Sequence, residues 1–142
     1  MKKVTVILVS LIFIASCVGP EEPLDGLSKN SPVVVNTTEA FTFSLKAENY
    51  STEETYNLTF SELTPIELTT VLIVTDFGGS ASGTSYFDIF NSNDSLLTRY
   101  ELNSNINVAP IKNLETNAIP NKIFFKVNDF SGFVQLVLAI GD

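Results

Sequence analysis

The chain has 142 residues, a formal charge of −8 from 8 Lys+Arg against 16 Asp+Glu, one Cys, no His and no Trp. That length allows one domain, and the absent His removes the side chain most used for proton transfer near neutral pH and the commonest metal ligand. A single Cys excludes an internal disulfide, a thiolate zinc cage and an iron–sulfur site, and the acidic balance argues against nucleic acid as a partner.

In chain order, Lys2 and Lys3 lead into an apolar run from Val4 to Ile14. Eleven helical residues reach about 16 Å, roughly half the hydrocarbon thickness of a bilayer. The run is too short to span and suits the core of a signal peptide. It ends in Ile14-Ala15-Ser16-Cys17, which resembles the bacterial lipobox, with Ile where Leu is usual. The resemblance implies cleavage after residue 16, a diacylglyceryl group on the Cys17 sulfur and an acyl chain on its amine, with no other cofactor. Two or more acyl chains make attachment to a membrane stable. Val18 follows the Cys in place of the Asp of an inner-membrane retention signal. Glu21 and Glu22 resemble the acidic export signal of surface lipoproteins in the Bacteroidetes. The expected location is the bacterial outer membrane, facing the cell surface or the periplasm.

Losing Lys2 and Lys3 with the signal leaves 6 basic and 16 acidic residues, a charge of −10. Residues 17–32 then read as the lipidated Cys and a flexible, acidic, Pro-containing tether with a span of roughly 20 Å.

Residues 33–142 read as one β-rich domain. Phe41, Phe43 and Leu45 alternate with Thr42, Ser44 and Lys46, and Tyr56, Leu58 and Phe60 alternate with Asn57, Thr59 and Ser61. A period of two marks strands with one buried face. Between them Glu48–Glu54 suggests one helical turn. Ile66–Thr75, rich in β-branched residues, reads as a central strand buried on both faces. Residues 78–83 form a Gly-rich loop, Tyr86–Phe90 a strand, Asn91–Asp94 a turn and Ser95–Leu102 another strand. Residues 103–121 predict a long loop with a short strand near Val108–Lys112. A closing hairpin runs Lys122–Asn128, a turn at Asp129–Gly132, then Phe133–Ile140. Seven or eight short strands imply an all-β, antiparallel two-sheet sandwich. The shape resembles immunoglobulin-like or fibronectin type III-like domains, without their Cys pair and core Trp, so Phe and Tyr must fill the core. The last hairpin also resembles the closing hairpin of small conjugation-associated lipoproteins, from which no function is carried over.

Candidate sites are few. The carboxylates Asp76, Asp88, Asp94, Glu101 and Asp129 are solvated turn and strand acids unless two converge for glycoside hydrolysis. Asn91, Asn93 and Asp94 are the oxygen-rich candidates for Ca²⁺, although the spacing is not that of an EF-hand. No His activates a Ser. Gly79-Ser80-Ala81-Ser82-Gly83 is followed by a strand and not by the helix that a nucleophile elbow needs. Asp94-Ser95-Leu96 resembles the O-glycosylation motif of Bacteroidetes envelopes and marks Ser95. Tyr50, Tyr86 and Tyr100 are the aromatics available for sugar stacking. If the last strand lay at a sheet edge it would offer itself to a partner's strand; the alternative is a central strand.

The sequence therefore predicts a non-enzymatic envelope lipoprotein serving binding, adhesion or assembly, anchored to the membrane through lipid, with a protein or glycan as partner. The alternatives are a carbohydrate-binding accessory lipoprotein, marked by a row of exposed Tyr, and a carboxylate hydrolase, marked by two acids converging in a cleft.

Overall fold

The computed structural model describes residues 26–60, 66–79, 84–114 and 119–141. The signal segment, Cys17 and the acidic pair Glu21–Glu22 lie outside the described residues. Within them the chain is all β: an antiparallel sheet of eight strands, with no helix. The strands are β1 (Val33–Asn36), β2 (Ala40–Asn57), β3 (Ile66–Gly78), β4 (Tyr86–Asn91), β5 (Leu96–Glu101), β6 (Ile106–Val108), β7 (Ile111–Leu114) and β8 (Pro120–Gly141).

Two strands are far longer than the sequence suggests, and they organise the rest. β2 has 18 residues and β8 has 22, paired along almost their whole length. The C-terminal half of β8 lies between β2 and β3, and its N-terminal half between β2 and β4. Strands β1, β6, β7 and β5 complete the margins. One continuous ribbon thus supplies two half-sheets, which fold onto each other as the two layers of a sandwich. Phe43, from the first half-sheet, meets Phe125 at 4.6 Å and Phe87 at 5.3 Å between ring centroids in the second.

The fold line is visible in the alternation. In β2, Phe41, Phe43, Leu45 and Ala47 point inward, and then Tyr50, Thr52, Glu54 and Tyr56 do. In β8 the inward set changes from Ile123, Phe125 and Val127 to Phe130, Val134, Leu136 and Leu138. Each switch from odd to even needs one extra residue, which is what a β-bulge inserts. The register slips at Ala47–Thr52 of β2 and at Thr75–Gly78 of β3. There Asn49, Asp76 and Asp129 all adopt left-handed φ, at 48°, 53° and 50°. Asn and Asp tolerate that region better than other residues with a side chain. Hydroxyls lock the line: the Asn49 amide donates to Ser131 Oγ at 2.9 Å, and the Asp129 amide to Ser51 Oγ at 2.8 Å.

Several expectations are corrected here. Glu48–Glu54 is not a helical turn and Asp129–Gly132 is not a hairpin. In both places turn-forming residues bend a strand that continues in its own direction. Of the two readings of the last strand the central one holds: it is bonded on both edges and offers no edge to a partner. The strand at residues 66–75 is buried on one face only: Leu68, Thr70, Leu72 and Val74 are inside, while Val71 and Ile73 are half-buried. The single strand expected near Val108–Lys112 is two, β6 and β7, both on β3. Ala109-Pro110 interrupts them because Pro has no N–H to donate, and its carbonyl accepts the Thr70 amide at 3.0 Å. The ties to β2 begin at Lys29 and Asn30, inside the stretch read as tether. The Asn30 amide donates to the Lys46 carbonyl at 2.8 Å and Asn30 Oδ1 accepts from the Glu48 amide at 2.8 Å.

Tyr56 closes one end of the core. It is half-buried against Phe41 and Phe43, and its hydroxyl donates to the Glu54 carboxylate. Burial first, and then that carboxylate, push its ionisation well above the ordinary phenol value of 10.0. Folding favours the neutral phenol, so its contribution to stability is present below the ordinary value and is lost as pH rises beyond it. In a difference titration at 295 nm against Tyr56→Phe, the extra phenolate signal is expected only at the pH where far-ultraviolet dichroism collapses. Its appearance in the folded protein near pH 10 would contradict this burial.

Candidate functional site

The sandwich is open where β5, at the margin of one half-sheet, faces β6 and β7 at the margin of the other. Among the described residues β5 pairs only with β4, which leaves the backbone groups of its outer edge without a strand partner there. The opening is a shallow groove of about 650 Å³. Leu72, Ile106, Val108, Pro110 and Tyr100 make it apolar, and Arg99 and Glu101 rim it. A smaller recess of about 90 Å³, floored by Leu68, Ile89 and Leu97, continues past Tyr100 and Pro110. Val108 and Ile111 beside it are 40% and 66% exposed, high for large apolar residues.

Around the corner, the outer face of β4, β5 and β8 interleaves cations with rings. Arg99 donates from Nε and a terminal nitrogen to the two carboxylate oxygens of Asp88, both at 2.6 Å, and its guanidinium lies 4.0 Å from the Tyr86 ring centre. The Asp88 bonds hold the guanidinium's pKa above its ordinary value. Lys122 sits over Phe90 and pairs with Asp94, and Lys126 pairs with Glu53. The three pairs differ in depth: the Asp88 side chain is 6% exposed and that of Glu53 57%. Removing the partner of a buried carboxylate strands a charge, whereas an exposed one rehydrates. Arg99→Leu is therefore expected to lower the melting temperature clearly more than Lys126→Leu. Equal losses would show that Asp88 is hydrated in the folded protein.

The candidates named from the sequence fall as follows. Asn91 is buried and works as a turn cap: its Oδ1 accepts the amides of Asn93 at 3.0 Å and Ser95 at 2.9 Å. Asn93 is exposed, and Asp94, also exposed, is engaged by Lys122. Among the described residues no group of three or more His, Cys, Asp or Glu is placed to hold a metal ion. Ser95 is exposed just before β5. Tyr50, Tyr86 and Tyr100 are each half-buried and form no row. Tyr50 packs on the core at the bend, Tyr86 lies under Arg99 on the outer face, and Tyr100 lines the groove. Three of the acids are engaged separately: Asp88 by Arg99, Asp94 by Lys122, while Glu101 accepts from Asn103 at 3.1 Å; Asp76 and Asp129 lie at the bend in left-handed φ. The groove itself was not anticipated. Its residues come from β3, β5, β6 and the Ala109-Pro110 break, which the sequence places in a long loop and gives no reason to bring together.

No family model matches the chain, and no curated protein matches it. Among solved structures it is similar to an RmlC-like cupin protein from Desulfovibrio desulfuricans, at 10% identity and a TM-score of 0.32, over 86% of this chain and 96% of that one. That superposition is too loose to carry chemistry from one protein to the other.

Proposed function

We propose that the protein is a lipid-anchored envelope lipoprotein, held at the outer membrane through Cys17, whose immunoglobulin-like sandwich is a non-enzymatic module for binding, adhesion or assembly. The observation that carries the binding role is the groove beside β5. It is apolar, flanked by an unpaired strand edge, and no pair of carboxylates converges on it among the described residues. Such a surface offers contact and strand pairing to a protein partner and little means of moving protons. The anchor rests on the lipobox residues Ile14–Cys17.

The two parts are tested separately. Cys17→Ala is expected to abolish metabolic labelling with palmitate and to move the protein from membrane to soluble fraction; retained label would overturn the anchor. A photo-crosslinking residue at Val108, in the groove, is expected to give discrete adducts in whole cells, and one at Thr55, on the outer face of β2, is not. Identical patterns at the two positions would overturn the groove as the binding surface.

A further inference from the structure

The recess that continues from the groove has a chemistry of its own. Leu68, Ile89 and Leu97 floor it, and Thr70, Thr98 and Lys112 stand around it. Residues directly opposite each other in an antiparallel pair share a face. Lys112 lies opposite Leu68, and Thr98 opposite Ile89. Leu68 and Ile89 are buried, so Lys112 and Thr98 project to the inner side of their strands, at the open margin of the sandwich. The size of the recess selects the apolar part of a ligand. A cavity of about 150 Å³ takes a benzene ring, which is about 25 Å³ per carbon. At that packing the 90 Å³ of the recess holds about four carbons, a branched alkyl group and not a ring.

The polar part is set by two unspent groups. Thr70 is 4% exposed, and its hydroxyl bonds to no described residue. The Thr84 hydroxyl, also without a partner among the described residues, is sealed inside the fold; that of Thr70 opens into the recess. A hydroxyl so deeply placed is costly without a partner. Lys29, Arg99, Lys122 and Lys126 pair with acids, and Lys46 is engaged as well. Among the described residues Lys112 is the cation left without a partner, in a chain with 16 acids to 8 bases. Lys112 is exposed, so its stem covers the rim of the recess while its ammonium stays in water.

These two groups choose the head of the ligand. An alkyl group alone would strand the Thr70 hydroxyl, and a cation would be repelled by Lys112. A carboxylate accepts from the first and pairs with the second. We propose that the recess binds a small aliphatic carboxylate, with an isobutyl-sized group against Leu68, Ile89 and Leu97 and the carboxylate between Thr70 Oγ1 and Lys112 Nζ. Burial of the alkyl group supplies most of the affinity, and the lysine selects the sign of the charge. A free branched-chain acid offers this chemistry, and so does the carboxy-terminal leucine of a peptide. The site adjoins the groove and does not depend on a protein occupying it.

The test uses the full chain, isotope-labelled and held in lipid nanodiscs. The probes are 4-methylpentanoate and N-acetyl-leucine; N-acetyl-leucinamide, 3-methylbutylammonium and acetate are the neutral, cationic and tailless controls. At least one acid is expected to shift the Leu68, Ile89 and Leu97 methyl resonances saturably, with half-saturation in the millimolar range, and every control to bind at least about fivefold more weakly. Tighter binding of N-acetyl-leucine assigns the site to a peptide terminus; equal or tighter binding of 4-methylpentanoate assigns it to a free acid. Lys112→Gln and Thr70→Val are each expected to weaken the acid about threefold, the size of one exposed ion pair or one hydrogen bond. Lys112→Arg should retain it. Thr70→Val should melt no lower than the wild type, since it removes a hydroxyl that bonds to no described residue. The proposal is overturned if neither acid shifts these resonances, if a control binds as tightly, or if either weakened variant binds normally. Normal binding by Lys112→Gln would leave the lysine only the task of keeping the β7 edge from pairing. Crosslinks at Val108, outside the recess, test the groove separately.

Discussion

Phe43→Ala is expected to destabilise the domain by about 4 kcal/mol, the middle of the range for truncating a buried Phe. Phe43 is fully buried and is one of the side chains through which the two half-sheets touch. Its ring meets Phe125 at 4.6 Å, Phe87 at 5.3 Å and Tyr56 at 5.9 Å, residues from three strands of the opposite layer. Deleting it removes apolar burial and aromatic pairing together, and the cavity cannot collapse easily because β2 is bonded on both edges there. Since domains of this size hold only about 5–15 kcal/mol in all, the variant should be partly unfolded at 37 °C. Urea denaturation followed by far-ultraviolet dichroism checks this, with Phe124→Ala for comparison. Phe124 is half-buried on the outer face beside Tyr86, and its loss should cost about 1 kcal/mol. Similar midpoints for the two variants would mean that the half-sheets are not held together through Phe43.

The fold class was legible in the sequence because alternation is a local signal. Phe41, Phe43 and Leu45 show it within five residues, as do Leu136 and Leu138 beside Gln135. The strand lengths were not legible. Asn49 and Asp129 carry the chemistry of a turn, and turn chemistry does not say whether the chain reverses or only bends. That choice depends on what lies across the strand: Ser131 receives the Asn49 amide and Ser51 the Asp129 amide, over sequence separations of about 80 residues. The same remoteness hid the groove. Tyr100 was singled out as an aromatic, but its groove exists only because Pro110 splits β6 from β7 on a different strand. Asp94 stood as a candidate calcium ligand or a solvated turn acid on composition alone, and the Lys122 that engages it lies 28 residues away.

If bending two long strands is what makes the sandwich, the bend should be the place where a single methyl group does most harm. Gly132→Ala is expected to destabilise by about 3 kcal/mol, the upper end of the cost of a backbone held where side chains do not fit. Gly132 has φ of 128°, and a Cβ there would lie 2.7 Å from the Thr75 carbonyl oxygen and 2.8 Å from that of Asp76. Both obstacles are backbone of β3, so no rotamer change relieves them. β3 would have to move away from β8 at the point where it makes its own bend. Gly141→Ala is the control, because φ there is unremarkable and a Cβ would meet nothing within 4 Å. It should change stability by less than about 0.5 kcal/mol. The pair separates two accounts of the fold by thermal melting of the full chain. A large loss at Gly132 and none at Gly141 places the constraint at the close approach of β3 and β8 along the bend. Equal, small losses would mean that the two half-sheets hold their positions through the aromatic core alone and that the bend follows from their packing.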